Sequence, residues 1–199
     1  MPELIASTAS GDYPILIKNG ALNHVGHLAA EAVVGRKAFV VSDETVFPLY
    51  YAQVEKSLVA AGFSVAGYAF PAGEGSKTAA TLLALYEQFH QAGLSRSDLI
   101  LALGGGVVGD VTGFAAATYL RGVPLIQVPT TLLAQVDSAI GGKTAIDLPF
   151  GKNLAGAFYQ PKAVVLDPLV LRTLPRSRMS EGMAEVVKYG LIRDERLFD

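Results

Sequence analysis

Short apolar runs alternate with helical patterns along most of this chain, and that alternation constrains the fold more than any other feature of it. Ala38–Ser42 reads as a buried strand, followed by a helix over about 47–61 that stops at Gly62. Ser64–Phe70 reads as a second strand. Within 77–92, Leu82, Leu85, Tyr86 and Phe89 recur at one-face helical spacing, and Gly93 stands where such a helix ends. Leu99–Leu103 is a third strand, running into Gly104-Gly105-Gly106. A small-residue helix over 108–120 follows, then a strand at Leu125–Val128 between two prolines. This order predicts an α/β fold, a parallel sheet with helices on both faces. From Thr131 to Pro161 the pattern loosens into a segment rich in Gly, Lys and Asn, before a last strand at Ala163–Leu166. Beyond Leu174-Pro175 only helix is expected, at Ser177–Ile192 and again from Asp194. The expected division is an α/β domain over 1–175 and the beginning of an all-helical second domain over 176–199, incomplete in this chain.

Composition narrows the function classes. Sixteen Lys+Arg against 18 Asp+Glu give a net charge of −2, which lacks the basic surplus that nucleic-acid binding draws on. Hydrophobic residues at 51% are enough for a sizeable core. The absence of cysteine excludes disulfides, Cys-ligated metals and thiol nucleophiles. No apolar run is long enough to cross a bilayer. Residues 1–14 lack the basic and apolar regions of a secretory signal, so a soluble cytoplasmic protein is expected. His24 and His27 have no evident partner carboxylate, and His90 reads as a surface residue, so the histidines suggest no metal site.

Parallel sheets bind ligands at the carboxyl ends of their strands, so the informative residues should follow strands. Gly104–Gly109 fits G-x-G-x-x-G between a strand and a helix, where glycines let backbone amides approach a pyrophosphate. The strict dinucleotide fingerprint fails, because the next acidic residue after Asp110 is Asp137; close helix–strand packing is the other explanation of these glycines. Gly141–Thr144 is no P-loop, since Asp137 stands where that motif needs glycine. Asp43 suits either a ribose or a helix N-cap. In the loop Gly73–Thr78, Ser76 or Thr78 is expected to cap a helix. Arg121, Lys143, Lys152 and Lys162 lie among glycines and apolar residues with Asp137 and Asn153, a setting that favours a phosphate or carboxylate site over a solvated face. Glu181, Glu185 and Lys188 share one helix face, as an exposed ion-paired stripe or as a cleft wall with Glu185 a metal ligand.

Taken together, Gly104–Asp110, Phe114–Gly122, Val128–Ser138, Gly141–Thr144, Gly151–Pro161 and Gly182–Gly190 closely resemble the 3-dehydroquinate synthase family, and the likeness runs from Asp43 onward. The resemblance implies a Rossmann-like NAD-binding domain and a helical domain carrying much of the metal and substrate site. It implies closure of 3-deoxy-D-arabino-heptulosonate 7-phosphate to 3-dehydroquinate, the second step of the shikimate pathway. By resemblance the cofactor contacts are Asp43, Glu74, Lys77, Gly105, Gly106, Val107, Asp110, Thr130, Thr131 and Thr173, with Lys143 and Lys152 near the cofactor as well. The substrate site comprises Arg121, Asp137, Lys143, Lys152, Asn153 and Lys188. Glu185 matches a ligand of a divalent metal (Zn2+ or Co2+), whose remaining ligands are expected beyond Asp199.

The implied chemistry is a transient oxidation by NAD, phosphate elimination, return of the hydride, ring opening and aldol closure, with the metal as a Lewis acid. The complete protein is expected to be a homodimer acting on a small phosphorylated sugar acid, with no nucleic-acid or membrane partner. For this chain alone, weak NAD binding without tight metal or turnover is expected. Other sugar-phosphate cyclases, metal-dependent alcohol dehydrogenases and a non-catalytic NAD-binding module are the competing readings.

Overall fold

The computed structural model describes residues 4–9 and 11–198. Nine strands are described: β1 (Leu4–Ala6), β2 (Tyr13–Ile17), β3 (Lys37–Asp43), β4 (Ser64–Phe70), β5 (Leu99–Gly104), β6 (Leu125–Pro129), β7 (Lys143–Leu148), β8 (Gly151–Phe158) and β9 (Ala163–Leu166). The α-helices are α1 (Val25–Ala32), α2 (Phe47–Ala60), α3 (Ala79–Gln91), α4 (Gly106–Thr118) and α5 (Arg176–Ile192). Seven strands form one sheet in the order β1-β2-β9-β6-β5-β3-β4, parallel throughout except for the β1–β2 pair.

The central strands are largely apolar, with Ser42 of β3 and Gln127 of β6 as buried polar exceptions, because helices cover both sides of them. In β5, Leu99, Leu101 and Leu103 face a layer with Val54 and Leu58 of α2 and Leu28 of α1. Ile100 and Ala102 face the opposite layer, with Leu85 and Phe89 of α3 and Val111 and Ala115 of α4. The chain therefore leaves β3 on one face and β5 on the other. Their adjacent carboxyl ends diverge there, opening the crevice in which open α/β sheets bind ligands.

Two stretches differ from the sequence reading. Thr131–Pro161, expected to be irregular, holds a π-helical turn at Ala134–Ser138 and the antiparallel hairpin β7–β8 around Pro149-Phe150. The helix expected from Lys77 begins at Ala79, because the Thr78 hydroxyl accepts the Thr81 N–H and caps it. Lys77 is thereby left in the loop. At the far end of the chain, 194–198 forms a 3-10 turn at Glu195–Phe198. On α5, Gly182 is buried against the turn before the π-helix, where a Cβ would lie 2.6 Å from the Leu133 nitrogen. Met183, Val187, Leu191 and Ile192 of α5 are exposed.

Asp167, buried just after β9, fastens the first elements to the last. Its carboxylate accepts the N–H groups of Gly20 (3.0 Å), Leu22 (3.2 Å) and Leu169 (3.0 Å). Asp167→Ala leaves these donors without their acceptor and should lower stability by at least about 2 kcal/mol. Urea unfolding checks this, and a loss below about 0.5 kcal/mol, the scale of an ordinary surface change, would contradict it.

Candidate functional site

Two clefts flank the carboxyl ends of β3 and β5. The first, about 490 Å³, is lined by Asp43, Glu74 and Lys77, by Gly105–Val108 at the start of α4, and by Thr130, Thr131 and Thr173. The second, about 540 Å³, is lined by Asp137, Lys143, Asn153 and the outer strand of the hairpin. Asp110 and Ser138 line both.

The glycines of the β5–α4 turn divide their work. A Cβ on Gly104 would lie 2.5 Å from Val108, and one on Gly109 would lie 3.0 Å from Gln127, so these two serve close packing. Gly105 and Gly106 line the first cleft, where a Cβ would meet Thr131 at 3.0 Å or Ser138 at 3.1 Å. No side chain caps α4, so the N–H groups of its first turn have no partner within the helix. Close packing thus accounts for Gly104 and Gly109, while Gly105 and Gly106 bring backbone to the cleft wall. Asp43 likewise does the work of a cap: Oδ1 accepts the N–H groups of Thr45 (2.8 Å) and Val46 (2.9 Å) ahead of α2.

Lys77 is the hub of the site. Although 5% exposed, its ammonium donates to Asp110 Oδ2 and to Asn153 Oδ1, both at 2.5 Å. Its carbonyl accepts the Asp147 N–H at 2.8 Å. Nearby, Lys152 pairs with Glu74 at 2.9 Å in the open, and that carboxylate raises the Lys152 pKa. Burial raises the Asp110 pKa above the usual carboxylate value while the Lys77 ammonium pulls it down. On α5, Lys188 pairs with Glu185, which raises its pKa, and Asp137 adds to the effect.

Every expected residue except Arg121, Lys162, Glu185 and Lys188 lines one of the clefts or, like Lys152, is bonded to a residue that does. Lys162 is exposed just before β9. Glu185 and Lys188 form their own pair, within electrostatic reach of Asp137. Arg121 follows α4 at its opposite end; that 13-residue helix puts it about 20 Å from Gly106. Glu181 pairs with Arg178 at 2.8 Å and lines the first cleft. His27, expected to lack a carboxylate partner, pairs with Glu31 one helical turn on at 3.3 Å. Sequence reasoning missed Tyr50, whose hydroxyl lies 2.6 Å from Thr173 Oγ1 at the cleft rim, and Asp147. Alternating Thr144, Ile146 and Leu148 before Pro149 was the available sign of the strand that carries Asp147.

Residues 67–181 match the family model described as 3-dehydroquinate synthase N-terminal. The chain belongs to that family. It is 54% identical over 198 residues to a 3-dehydroquinate synthase from Geobacter metallireducens, covering 100% of this chain and 55% of the relative. A crystal structure of 2-deoxy-scyllo-inosose synthase with carbaglucose-6-phosphate, NAD+ and Co2+ superposes with a TM-score of 0.88 at 32% identity, covering 95% of this chain and 52% of the other. A 2-epi-5-epi-valiolone synthase from Streptomyces hygroscopicus, with NAD+ and Zn2+ bound, matches at 0.85 and 29%, covering 98% and 54%. The chain thus spans about half the length of the curated 3-dehydroquinate synthases it matches. No helix among the described residues is long and apolar enough to cross a membrane.

Lys77→Met would leave Asp110 partly buried beside an apolar side chain and should destabilise the fold by about 3 kcal/mol at neutral pH. With its folded pKa raised above the unfolded value, Asp110 holds its proton longer in the folded chain. Stability therefore falls as pH rises through the interval between the two values. Losing the ammonium widens that interval, so the variant's deficit should shrink on acidification from about pH 7 to about pH 4. Urea midpoints at both pH values check this; an equal deficit at both would contradict it.

Proposed function

We propose that this chain is the NAD-binding α/β portion of a 3-dehydroquinate synthase, holding the cofactor in the first cleft and a phosphorylated sugar acid in the second. The observation that carries this reading is the wall of Asp110 and Ser138 common to both clefts. Oxidising a ring hydroxyl requires the reacting carbon and the cofactor in near contact, and adjoining clefts permit it. Relatives named for this activity are 50–54% identical to the chain, against 29–32% for the cyclases of other product.

The first cleft fits a dinucleotide. Gly106, Val107 and Val108 offer first-turn N–H groups to a pyrophosphate, and Gly105 and Gly106 leave it room. Thr130 Oγ1 is buried at the cleft with no hydrogen-bond partner among the described residues. Asp43 keeps Oδ2 for ribose hydroxyls, with Glu74, Lys77, Thr131 and Thr173 completing the walls. Bound there, NAD would supply a reversible hydride acceptor for the substrate's ring hydroxyl.

Lys143, on the wall of the second cleft, and Lys152, which lines neither cleft and pairs with Glu74 of the first, bind the substrate phosphate and favour its departure as a dianion. The exposed Lys152–Glu74 pair is of the kind that adds little stability, so Lys152 can exchange that carboxylate for phosphate at small cost. Asn153, Asp137 and Lys188 orient the sugar acid; Arg121, which lines neither cleft, is assigned to the substrate by family likeness alone. The described residues do not make a complete metal site: no three acidic or histidine side chains among them are grouped for one, and Glu185 is paired with Lys188. A helical second domain beginning at 176, a homodimer and a cytoplasmic location extend the same proposal.

Gly106→Val should weaken NAD binding at least tenfold, a loss of about 1.4 kcal/mol, because its branched side chain would project into the cleft. Unchanged affinity by calorimetry in a folded variant would refute the cofactor site. At the full length of its relatives, the protein should convert 3-deoxy-D-arabino-heptulosonate 7-phosphate to dehydroquinate and phosphate with no net NADH, and Lys152→Met should cut kcat/KM at least about tenfold. Net NADH without phosphate release would point to a dehydrogenase instead.

A further inference from the structure

We propose that Asp147 is a positioning residue that aims Asn153 at the second cleft, a role that rests on reading Asn153 as a substrate contact. The β7–β8 ladder is irregular between Ile146, which pairs with Ala155, and Leu148, which pairs with Gly151. Three residues of β8, Lys152–Leu154, thus stand opposite Asp147 alone. A bulge of this kind breaks the side-chain alternation of a strand and re-aims what it carries. Here it carries the lysine and the asparagine assigned to substrate.

Within that bulge Asn153 has φ +58°. Asparagine enters this left-handed region more readily than most residues, yet holds it only where its surroundings impose it. Two bonds do so. Asp147 Oδ1 accepts the Asn153 N–H at 2.8 Å, and Asn153 Oδ1 accepts from the Lys77 ammonium at 2.5 Å. The first fixes the backbone and the second fixes the side chain. Asp147 is itself fixed by its N–H donated to the Lys77 carbonyl at 2.8 Å. The same short stretch of loop therefore anchors both ends of the arrangement. Asp147 lines neither cleft, so its hydrogen-bonded route to the substrate runs through Asn153. Its charge also bears on Lys152 and Asp110, an effect that the neutral Asp147→Asn variant removes while keeping the acceptor. A backbone N–H needs an acceptor rather than a charge, which distinguishes this role from an electrostatic one.

The test compares Asp147→Ala with Asp147→Asn in the full-length protein supplied with NAD. In the alanine variant, amide hydrogen exchange at Asn153 should quicken at least about tenfold as the bond is lost. KM for the sugar phosphate should rise by about tenfold or more, with NAD affinity within about threefold of wild type. Asparagine keeps an oxygen at the same place and should restore both readouts to within about threefold. If the alanine variant does not fold, Asp147→Ser, whose hydroxyl stops short of the Asn153 N–H, replaces it. Unchanged exchange at Asn153 would overturn the proposal. So would faster exchange with unaltered kinetics, which marks a structural bond alone, or an asparagine variant as impaired as alanine. Exchange is read without turnover, so a wild type that makes no dehydroquinate sinks the functional reading and leaves the Asn153 bond separately decided.

Discussion

A buried ammonium sets the geometry on which the two clefts depend. Removing Lys77 from water is costly, and the cost is offset only if acceptors meet its nitrogen on the protein side. Asp110 from α4 and Asn153 from the hairpin meet it there, each at 2.5 Å. These groups lie far apart in sequence, and each belongs to a different wall. The start of α4, the loop after β4 and the hairpin must all be in place before the charge is satisfied. Three otherwise independent segments are thereby held to one arrangement, and a separation between the clefts that a loose loop would leave variable becomes fixed.

The parts of the fold that were legible in the sequence are those whose physics is local. β3, β5, β6 and β9 are covered on both faces, so each appears as a mainly apolar run, broken only by Gln127 in β6 between Leu125 and Val128. The hairpin is not, because β8 lies largely open and its sequence mixes Gly, Lys and Asn with exposed Leu154 and Phe158. Nothing in such a stretch separates strand from loop until its partner strand is known. β1 and β2 are short and lie at the sheet edge, paired with each other and with a strand distant in sequence, so no neighbouring pattern announces them.

The site shows the same division. Asp43, Gly105, Gly106, Thr130 and Thr131 follow strands and could be found by the rule that ligands sit at strand ends. Lys77 was nominated only through family likeness, and its burial was not foreseen. A lysine next to a helix is ordinarily solvated, and only the approach of α4 and the hairpin buries this one. Asp147 carries no motif at all. Its partners exist only once β7 and β8 pair out of register and the loop after β4 lies against them.

The sheet also sets an order of events during synthesis. β2 bonds on one side to β1 and on the other to β9, whose partner residues Val164–Leu166 come about 150 positions after Ile15–Ile17. At about 5–20 residues per second, the ribosome takes on the order of ten seconds to make that interval. Throughout it, Tyr13 and Ile15, which end up buried, have no strand to lie against on their inner edge. The amino-terminal strands must therefore wait, paired only as a short hairpin or sheltered by a chaperone, while β3 to β6 assemble ahead of them. Strands made early in this chain are among the last of its sheet to be locked in.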